Sequence, residues 1–531
     1  MKSKTSLTRA AICALRRVGG HSLQVCRCRP RALIPLREGR ARRSVPAISR
    51  LTTSTVVILT TMVLSVPAFA QIGRRFPSEK KVVPDPVTGV PLTFLTTGPS
   101  NDAKIYQTHP QWTADGKWII FRSSDRVPDQ GAQAFAVNED NGVIVQVTDK
   151  GFMGMLCVAR KSMKLYIMRN TGSGSGRGRG AATASAGQSD AAAVAAAPAA
   201  EGANAPATGP GGRRGRGGFG RGGQTQIIEI DLAKLFADSE AGTMKPASNY
   251  ERVCGTIPTN MIAGGDMALD ANEDFAYFRA TGADVGQHLP PGTRIESGFG
   301  PRNMGAGPAG LRSMNLKTGE IKFVVDVPFQ IGHVQTNPWV PGEIVFCWET
   351  GGKAPQRTWT VMADGTGLRP LYPEALYEWI THEAVITSNE VAIAILGHRR
   401  VGANDAWGVS GTAEHPTGVG IVNLRTREMR IIGQVPLGNP GRSIWHVNGS
   451  PDGRWAVADD FMYRLWLIDR HTGEMMLLAD MGHMTTAADH IHPTFSADGT
   501  KIEIQTAMLA PNGRALDICV VPVPQAWLER K

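Results

Sequence analysis

The sequence predicts an all-β fold, a seven-bladed β-propeller whose blades are four-stranded antiparallel sheets. Two recurring sequence patterns support this prediction. The first is a short apolar strand, a turn that contains Asp-Gly and a second apolar strand, as in HPQWTADGKWIIF (109–121). The second lies downstream of the first and joins two strands through a polar turn, as in RLWLIDRHTGEMMLL (464–478). Asp-Gly adopts the positive φ angles of tight hairpins, and repeats of this kind are typical of propeller blades.

Seven such units follow one another along the chain. The last unit has three clear strands, and the segment 90–97 (VPLTFLTT) can supply the fourth. Such a strand would close the ring and remove the exposed sheet edges. Two packed sheets are the alternative architecture, but the regularity of the repeat favours the ring. The units begin near Gln107, Met155, Met267, His333, His382, His446 and His492.

The N-terminal region has the features of a secretory signal peptide. Arginines precede an apolar run at 55–66, and Ala68 and Ala70 form an A-x-A cleavage site after it. The run is shorter than the roughly 20 residues of a membrane-spanning helix. We therefore expect cleavage near Ala70 and a periplasmic or secreted protein, with an uncleaved anchor as the alternative. The predicted organisation is a basic leader and signal peptide at 1–70, an N-terminal segment at 71–88, the propeller at 89–530 and an insertion at 171–225.

The positive charge of the chain lies outside the predicted propeller. The net charge is +11, but residues 1–70 contain 13 Lys and Arg against one Glu, so the remainder sums to −1. Within that remainder, the Gly-, Ala- and Arg-rich stretch 171–225 carries six Arg against two acids. The folded body is therefore acidic, which does not support nucleic-acid binding.

The stretch 171–225 interrupts the second blade and contains nothing that could bury a core. It is predicted to be a disordered surface loop, with an RNA contact of the RGG type as the alternative. Outside the leader, the four cysteines lie in separate apolar runs, which favours buried free thiols, although an exported protein could also pair them. These cysteines are Cys157, Cys254, Cys347 and Cys519.

Five histidines recur at the same phase of the repeat. His109, His446 and His492 each stand six residues before the Asp of an Asp-Gly turn, and His333 and His382 occupy the matching position in other units. Because the first strand of each blade lines the central channel, these side chains are predicted to form a ring. Imidazole binds transition metals and is a base near neutral pH. The alternative is that each histidine is only a polar residue that caps a blade.

Further candidates lie near this ring. His490 and His492 would face the same side of a regular strand, so both could reach one metal ion. Gln107 and Gln335 flank the ring, as ligand contacts or as blade caps. Arg357 could bind a carboxylate through its planar fork, or could be a solvated strand residue. Glu383 would point away from His382 in a regular strand and is therefore interpreted as structural.

At these residues the sequence resembles the oligogalacturonate lyases, polysaccharide lyase family 22. The resemblance covers most of 90–525 apart from the insertion. It is best at IGHVQTNPW (331–339), THE (381–383), WHVNGSPDG (445–453) and HIHPTFSADG (490–499). It implies a TolB-like seven-bladed propeller that holds Mn²⁺, or another divalent metal, at its centre.

The resemblance also implies roles for individual residues. His382 would be the Brønsted base and Arg357 would steady the substrate. The implied metal ligands are His446, His490 and His492, and the candidate substrate contacts are His333, Gln335, His109 and Gln107. The family has a further glutamine ligand three residues before the first His of H-x-H, where this chain has Ala487; water, His483 or Asp489 could fill that position.

The implied function is a metal-dependent lyase that cleaves short uronate-containing saccharides, such as oligogalacturonate, by β-elimination. A cation would neutralise the uronate carboxylate while the imidazole removes the proton on the adjacent carbon. The expected partner is an acidic oligosaccharide, with no nucleic acid and no membrane beyond the signal peptide; the oligomeric state is left open. The alternatives are a non-catalytic TolB-like propeller that acts as a binding or scaffold module, and an enzyme for another acidic glycan.

Overall fold

The structure is a computed structural model that describes most of the chain after residue 71. The signal peptide predicted at 1–70 and most of the insertion lie outside the described residues, as do Ala487, His483 and Asp489. The described residues are 72–127, 130–172, 224–298, 304–350, 354–375, 378–398, 412, 414–434, 444–481, 490–510, 513 and 515–530.

Within the described residues, thirty strands make up nearly all of the regular structure. Those before the insertion are β1 (Arg75–Phe76), β2 (Lys81–Pro84), β3 (Pro91–Phe94), β4 (Asp102–Lys104), β5 (Trp118–Ser123), β6 (Gln133–Asn138), β7 (Ile144–Gln146), β8 (Met153–Val158) and β9 (Lys164–Asn170). The next are β10 (Thr225–Asp231), β11 (Glu251–Ile257), β12 (Ile262–Leu269), β13 (Phe275–Thr281), β14 (Ala306–Asn315), β15 (Ile321–Phe329), β16 (Ile331–Thr336), β17 (Glu343–Trp348), β18 (Thr358–Met362) and β19 (Arg369–Pro370). The last are β20 (Glu378–Thr387), β21 (Glu390–His398), β22 (Gly418–Asn423), β23 (Met429–Gly433), β24 (Ile444–Gly449), β25 (Trp455–Asp460), β26 (Arg464–Asp469), β27 (Met475–Asp480), β28 (Thr494–Phe495), β29 (Lys501–Thr506) and β30 (Asp517–Pro522).

The strands form seven antiparallel sheets, which confirms the predicted seven-bladed propeller. Blades two to six are four-stranded meanders of consecutive strands: β8–β11, β12–β15, β16–β19, β20–β23 and β24–β27. Blades one and seven have five strands each, in the orders β4-β5-β6-β7-β1 and β28-β29-β30-β3-β2.

Blade seven is completed by strands from both ends of the described chain. β3 pairs antiparallel with β30, with Thr93 opposite Val520 and Phe94 opposite Cys519. The closing strand predicted from the segment 90–97 is therefore present. β2 pairs with β3, and β1 pairs with β7, so strands of two blades also come from the segment 71–88.

Apolar side chains fill the spaces between neighbouring blades. Ile120 of blade one, Ile167 of blade two and Phe278 of blade three belong to one continuous buried cluster. The core is thus shared between blades, and each blade depends on its neighbours to bury its faces.

β-Bulges interrupt the innermost strand of several blades. The pairing of β16 with β17 shifts between Gly332 and Gln335, and the pairing of β20 with β21 shifts between Thr381 and Glu383. His333 and His382 lie in these bulges with φ angles of 49° and 37°. A bulge redirects a side chain out of the normal alternation of a strand, so these two imidazoles are aimed by an irregular backbone.

The equivalent bulges of blades two and three contain glycine in place of histidine. Gly154 has a φ angle of 69°, and a Cβ atom built on it would lie 2.0 Å from the carbonyl oxygen of Gly265. Glycine is therefore required where these two inner strands approach each other.

A helix that the sequence patterns did not predict follows the third strand of blade two. It is α1 (Leu232–Ala241), whose first turn is capped by Asp231, which accepts a hydrogen bond from the backbone N–H of Lys234. The helix ends at Gly242, which adopts a φ angle of 69°. Phe236 stacks on Trp118 of blade one with ring centroids 4.2 Å apart, so the helix covers the junction between the two blades. A short helix, α2 (Gln525–Leu528), follows β30.

The insertion leaves blade two between its second and third strands. β9 and β10 pair up to Asn170 and Thr225, and the N–H of Thr171 still donates to the carbonyl of Gln224. The four cysteines outside the leader are buried, and none of them forms a disulfide bond with another. Within the described part of the chain, the helices are too short and too polar to cross a membrane.

Candidate metal and catalytic site

Histidines from blades four to seven meet at the innermost strands. His333 and His382 have ring centroids 5.6 Å apart, His382 and His446 are 4.1 Å apart, and His446 and His492 are 4.0 Å apart. His490 joins the group, with its ring 5.2 Å from that of His446. All five are buried. The structure therefore brings together four of the five histidines that share a repeat phase, and also His490, the first histidine of H-x-H.

Three of these histidines form a group that could hold one metal ion. The ligand atoms of His446, His490 and His492 all lie within 4.8 Å of one another. His490 and His492 precede β28 and are not part of a regular strand, and His492 has a φ angle of 50°. The two rings nevertheless stack with centroids 5.4 Å apart, so an irregular backbone, and not the expected strand alternation, places them together.

Hydrogen bonds at Nδ1 fix the orientation of two of these rings. Nδ1 of His446 lies 2.9 Å from Oδ2 of Asp459, and Nδ1 of His492 lies 3.1 Å from the carbonyl oxygen of His490. Because the Asp459 carboxylate can only accept, Nδ1 of His446 carries the proton and its Nε2 keeps its lone pair. Nδ1 of His492 also lies 3.1 Å from the amide nitrogen of Gln505. Both Nε2 atoms are buried without a hydrogen-bond partner in the described residues. Burial lowers the pKa of His492 well below its usual value, which keeps this imidazole neutral.

Asp459 joins the two blades that supply this group. It lies on β25, and its carboxylate accepts hydrogen bonds from the backbone N–H of His446 at 2.6 Å and of His492 at 3.3 Å. Its bond to the His446 ring is the carboxylate–histidine pair that, in metalloproteins, orients a histidine ligand and raises its basicity, and His446 would be such a ligand when a metal binds.

We expect Asp459→Asn to weaken Mn²⁺ binding by roughly 10- to 100-fold, because the amide removes the negative acceptor that orients His446. Isothermal titration of the metal-free protein with Mn²⁺ measures the change. Asp460→Asn is the matched control, since the neighbouring Asp460 pairs with Arg464 and is equally buried. Equal affinities for the wild type and Asp459→Asn would contradict the assigned role of Asp459.

His382 has the environment of a neutral base. Its Nδ1 lies 2.5 Å from the hydroxyl of Tyr106. Burial lowers the pKa of His382 well below its usual value, and the nearby His446, His333 and Arg357 lower it further. The imidazole is therefore uncharged at neutral pH, as a general base requires.

Tyr106 takes the position in blade one that sequence analysis assigned to His109. β4 ends at Lys104, and the chain then turns so that the N–H of His109 donates to the carbonyl of Tyr106. The Tyr106 ring lies 4.9 Å from His333 and 5.3 Å from His492. His109 is instead bonded through Nε2 to the carbonyl of Met267 at 2.7 Å. The prediction that His109 joins the ring is therefore corrected, because the inner strand ends before the repeat phase is reached.

Arg357 is buried and not solvated, with 1% of its surface exposed. It lies just before β18, where its N–H donates to Glu374 and its carbonyl accepts from the N–H of Trp348. Its Nε lies 3.4 Å from Oε2 of Glu383. Its Nη2 lies 3.3 Å from Nδ1 of His333. The guanidinium is thus held beside His333 and the group of histidines to which it belongs.

Glu383 lies in the site, although strand alternation predicted the opposite face. Its Oε1 is 3.0 Å from Nδ1 of His333. The bulge at His382 inserts one residue into the strand, so His382 and Glu383 both reach the same cluster. Glu349, which follows β17, lies 3.2 Å from Nε2 of His333 through Oε2. Sequence analysis did not assign Glu349, Glu383, Tyr106 or Asp459 to the site.

The two predicted glutamines have different environments. The amide of Gln335 donates to the carbonyl of Glu383 and accepts from the N–H of Val385, so it links blades four and five, as a blade cap would. The Gln107 side chain is buried, and its amide has no hydrogen-bond partner in the described part of the chain. The backbone carbonyl of Gln107 accepts from Asn448 of blade six.

No protein-family model and no curated protein sequence matches the chain. Among solved structures, an oligogalacturonate lyase in complex with manganese has a TM-score of 0.58 at 15% identity and covers 86% of this chain and 100% of its own. An oligogalacturonate lyase from Vibrio parahaemolyticus has a TM-score of 0.59 at 14% identity, with the same coverage. At these identities the likeness concerns architecture, and the chain shares the propeller fold of these oligogalacturonate lyases over their whole length.

Proposed function

We propose that this protein is a metal-dependent lyase that cleaves short uronate-containing saccharides, such as oligogalacturonate, by β-elimination. One observation carries the proposal: three buried histidines that could hold one ion lie beside a neutral histidine and a buried arginine. The similarity in fold to a lyase described as a manganese complex supports the same choice of metal and substrate.

The donor set fits a divalent metal. The residues that would hold it are His446, His490 and His492, all of which offer nitrogen ligands. Buried polar atoms are normally hydrogen-bonded, so the unpartnered Nε2 atoms of His446 and His492 need another partner. A metal ion would take these two nitrogen atoms as ligands, and the hydrogen bond between Nδ1 of His446 and Asp459 would remain in place.

The side chains around this group suit proton removal next to a carboxylate. When bound, the cation would neutralise the uronate carboxylate and make the proton on the adjacent carbon more acidic. His382 takes that proton through Nε2 in the tautomer whose Nδ1–H donates to the Tyr106 oxygen, which leaves the lone pair on Nε2. Arg357 binds and orients the carboxylate. The bond between C4 and the glycosidic oxygen then breaks, and the electrons of the former C5–H bond form a double bond between C4 and C5. The leaving oxygen gains a proton from solvent, and His382 returns to solvent the proton that it removed.

An assay with trigalacturonate tests the function. The wild-type protein with Mn²⁺ is expected to produce the ultraviolet absorbance of the conjugated double bond. EDTA is expected to abolish this signal and added Mn²⁺ to restore it. Tight Mn²⁺ binding without turnover of trigalacturonate would instead favour a non-catalytic binding propeller, and turnover that EDTA leaves unchanged would contradict the metal-dependent mechanism.

We also propose that the protein is exported to the periplasm or secreted. The apolar run at 55–66 and the A-x-A site that ends at Ala70 support this proposal. An exported location would bring the protein together with saccharides released from extracellular acidic polymers.

A further inference from the structure

Two cations and two carboxylates form a compact buried cluster beside His382. The cluster consists of His333, Glu349, Arg357 and Glu383, each at most 2% exposed. Glu383 contacts both cations, with Oε1 3.0 Å from Nδ1 of His333 and Oε2 3.4 Å from Nε of Arg357. Glu349 also faces both, with Oε2 3.2 Å from Nε2 of His333 and 3.9 Å from Nη2 of Arg357.

The backbone is built to bring Glu349 against His333. A Cβ atom on Gly332 would lie 2.8 Å from Cβ and 2.9 Å from Oε2 of Glu349. Only glycine therefore allows this carboxylate to lie against the strand that carries His333. On the other side, the bulge at His382 directs Glu383 toward the same imidazole.

The charge of the cluster depends on His333. With a protonated His333, the two cations balance the two carboxylates. With a neutral His333, the same cluster carries one net negative charge in a buried region, where charges interact more strongly than in water. A negative cluster would repel the carboxylates of an acidic saccharide next to Arg357.

We propose that His333 is a charged positioning residue, which balances Glu349 and Glu383 so that Arg357 can attract the substrate carboxylate. The part of this inference that concerns the saccharide rests on the proposed function. The charge state of His333 does not.

Burial alone would lower the pKa of His333, but Glu383 and then Glu349 oppose it and raise the pKa to about 9. Burial would raise the pKa of Glu383, but His333 and Arg357 lower it below its usual value. The cluster is therefore neutral at pH 7 and becomes negative as the pH rises through about 9. Among the described residues, the titratable or charged groups around His333 are Glu383, Glu349, Arg357, Tyr106, His382, Cys347, Asp266 and His109.

A metal ion between His333, Cys347 and Glu349 is the competing interpretation, because their ligand atoms also lie close together. Arg357 argues against it. Its guanidinium lies 3.3 Å from the His333 ring and 3.9 Å from Glu349, so a divalent ion would bring two positive charges against it. A protonated His333 brings only one, and each of its two nitrogens faces a carboxylate. The cluster is therefore better explained as an ion-pair network.

The affinity of the Mn²⁺-loaded protein for trigalacturonate tests the balance of charge. His333→Asn leaves the cluster with one net negative charge and is expected to weaken binding about 10-fold or more at pH 7. Asparagine tolerates the positive φ angle of this position. Adding Glu349→Gln restores neutrality and is expected to recover the affinity to within about threefold of the wild type. His398→Asn, a change at a buried histidine outside the cluster, is the control.

Nuclear magnetic resonance of the ¹⁵N-labelled imidazole provides a readout that does not depend on activity. His333 is expected to remain an imidazolium at pH 8 and to lose its proton near pH 9. A neutral His333 at pH 8, or a double variant that binds as weakly as His333→Asn, would overturn the inference. If the wild type binds no trigalacturonate, the proposed function fails. Two other measurements then decide the charge assignment. One is the imidazole titration. The other is the Tm, which is expected to fall in His333→Asn and to recover when Glu349→Gln is added.

Discussion

Replacement of His382 by asparagine is expected to lower trigalacturonate turnover by roughly 10²- to 10⁴-fold, the usual contribution of a general base. Asparagine keeps a polar side chain and tolerates the positive φ angle of residue 382, so the backbone bulge is preserved. The loss should therefore appear in kcat, with little change in the affinity for Mn²⁺. Initial rates at saturating substrate, measured together with a Mn²⁺ titration, give both quantities.

The matched control for this change is His398→Asn in the same blade. His398 is also buried, but its Nε2 bonds to the carbonyl of Pro416, and it does not belong to the group of histidines at the candidate site. We expect this variant to keep wild-type turnover. If His382→Asn keeps it as well, then proton removal belongs to another group and the mechanism proposed for His382 is wrong.

Replacement of His446 by glutamine is expected to remove most of the metal affinity, by about 100-fold or more, since one of three nitrogen ligands and the link to Asp459 are lost together. A ligand that binds only the folded state at 100 times its Kd stabilises it by about 2.7 kcal/mol. Added Mn²⁺ should thus raise the Tm of the wild type by several degrees and leave that of His446→Gln almost unchanged. Thermal unfolding with and without Mn²⁺ measures this difference.

Metal content measured by elemental analysis provides the second readout for this variant. Asp460→Asn again serves as the control, because it alters a buried carboxylate of the same blade without touching the histidine group. Retention of stoichiometric Mn²⁺ by His446→Gln would exclude this group as the metal site.

The fold could be predicted because the Asp-Gly turns of the repeat can be recognised directly in the sequence. The aspartate of each Asp-Gly turn stabilises the turn through local hydrogen bonds. Asp115 and Asp498 each accept from a hydroxyl two residues earlier and from an N–H two residues later. These bonds need only neighbouring residues, so the sequence displays them directly. His446 and His492 can be located from the same turns, because each stands six residues before the aspartate of its Asp-Gly turn.

The carboxylates of the site could not be predicted in this way. Strand alternation assigned Glu383 to the wrong face, because a bulge with a positive φ angle at His382 cannot be read from a polar and apolar pattern. Asp459 lies on the second strand of blade six, and only the packing of blade six against blade seven makes it an acceptor for His492. Tyr106 joins the group of histidines because β4 ends at Lys104. The end of this strand depends on contacts between residues that are distant in sequence.

The pairing of β3 with β30 places the seam of the ring in the blade that follows His490 and His492. The earliest and the latest strands of the propeller therefore lie side by side in the sheet next to these two histidines, and fraying from either extremity would loosen that sheet. An ion held by His446, His490 and His492 would tie blade six to blade seven and act as a clasp against such unravelling.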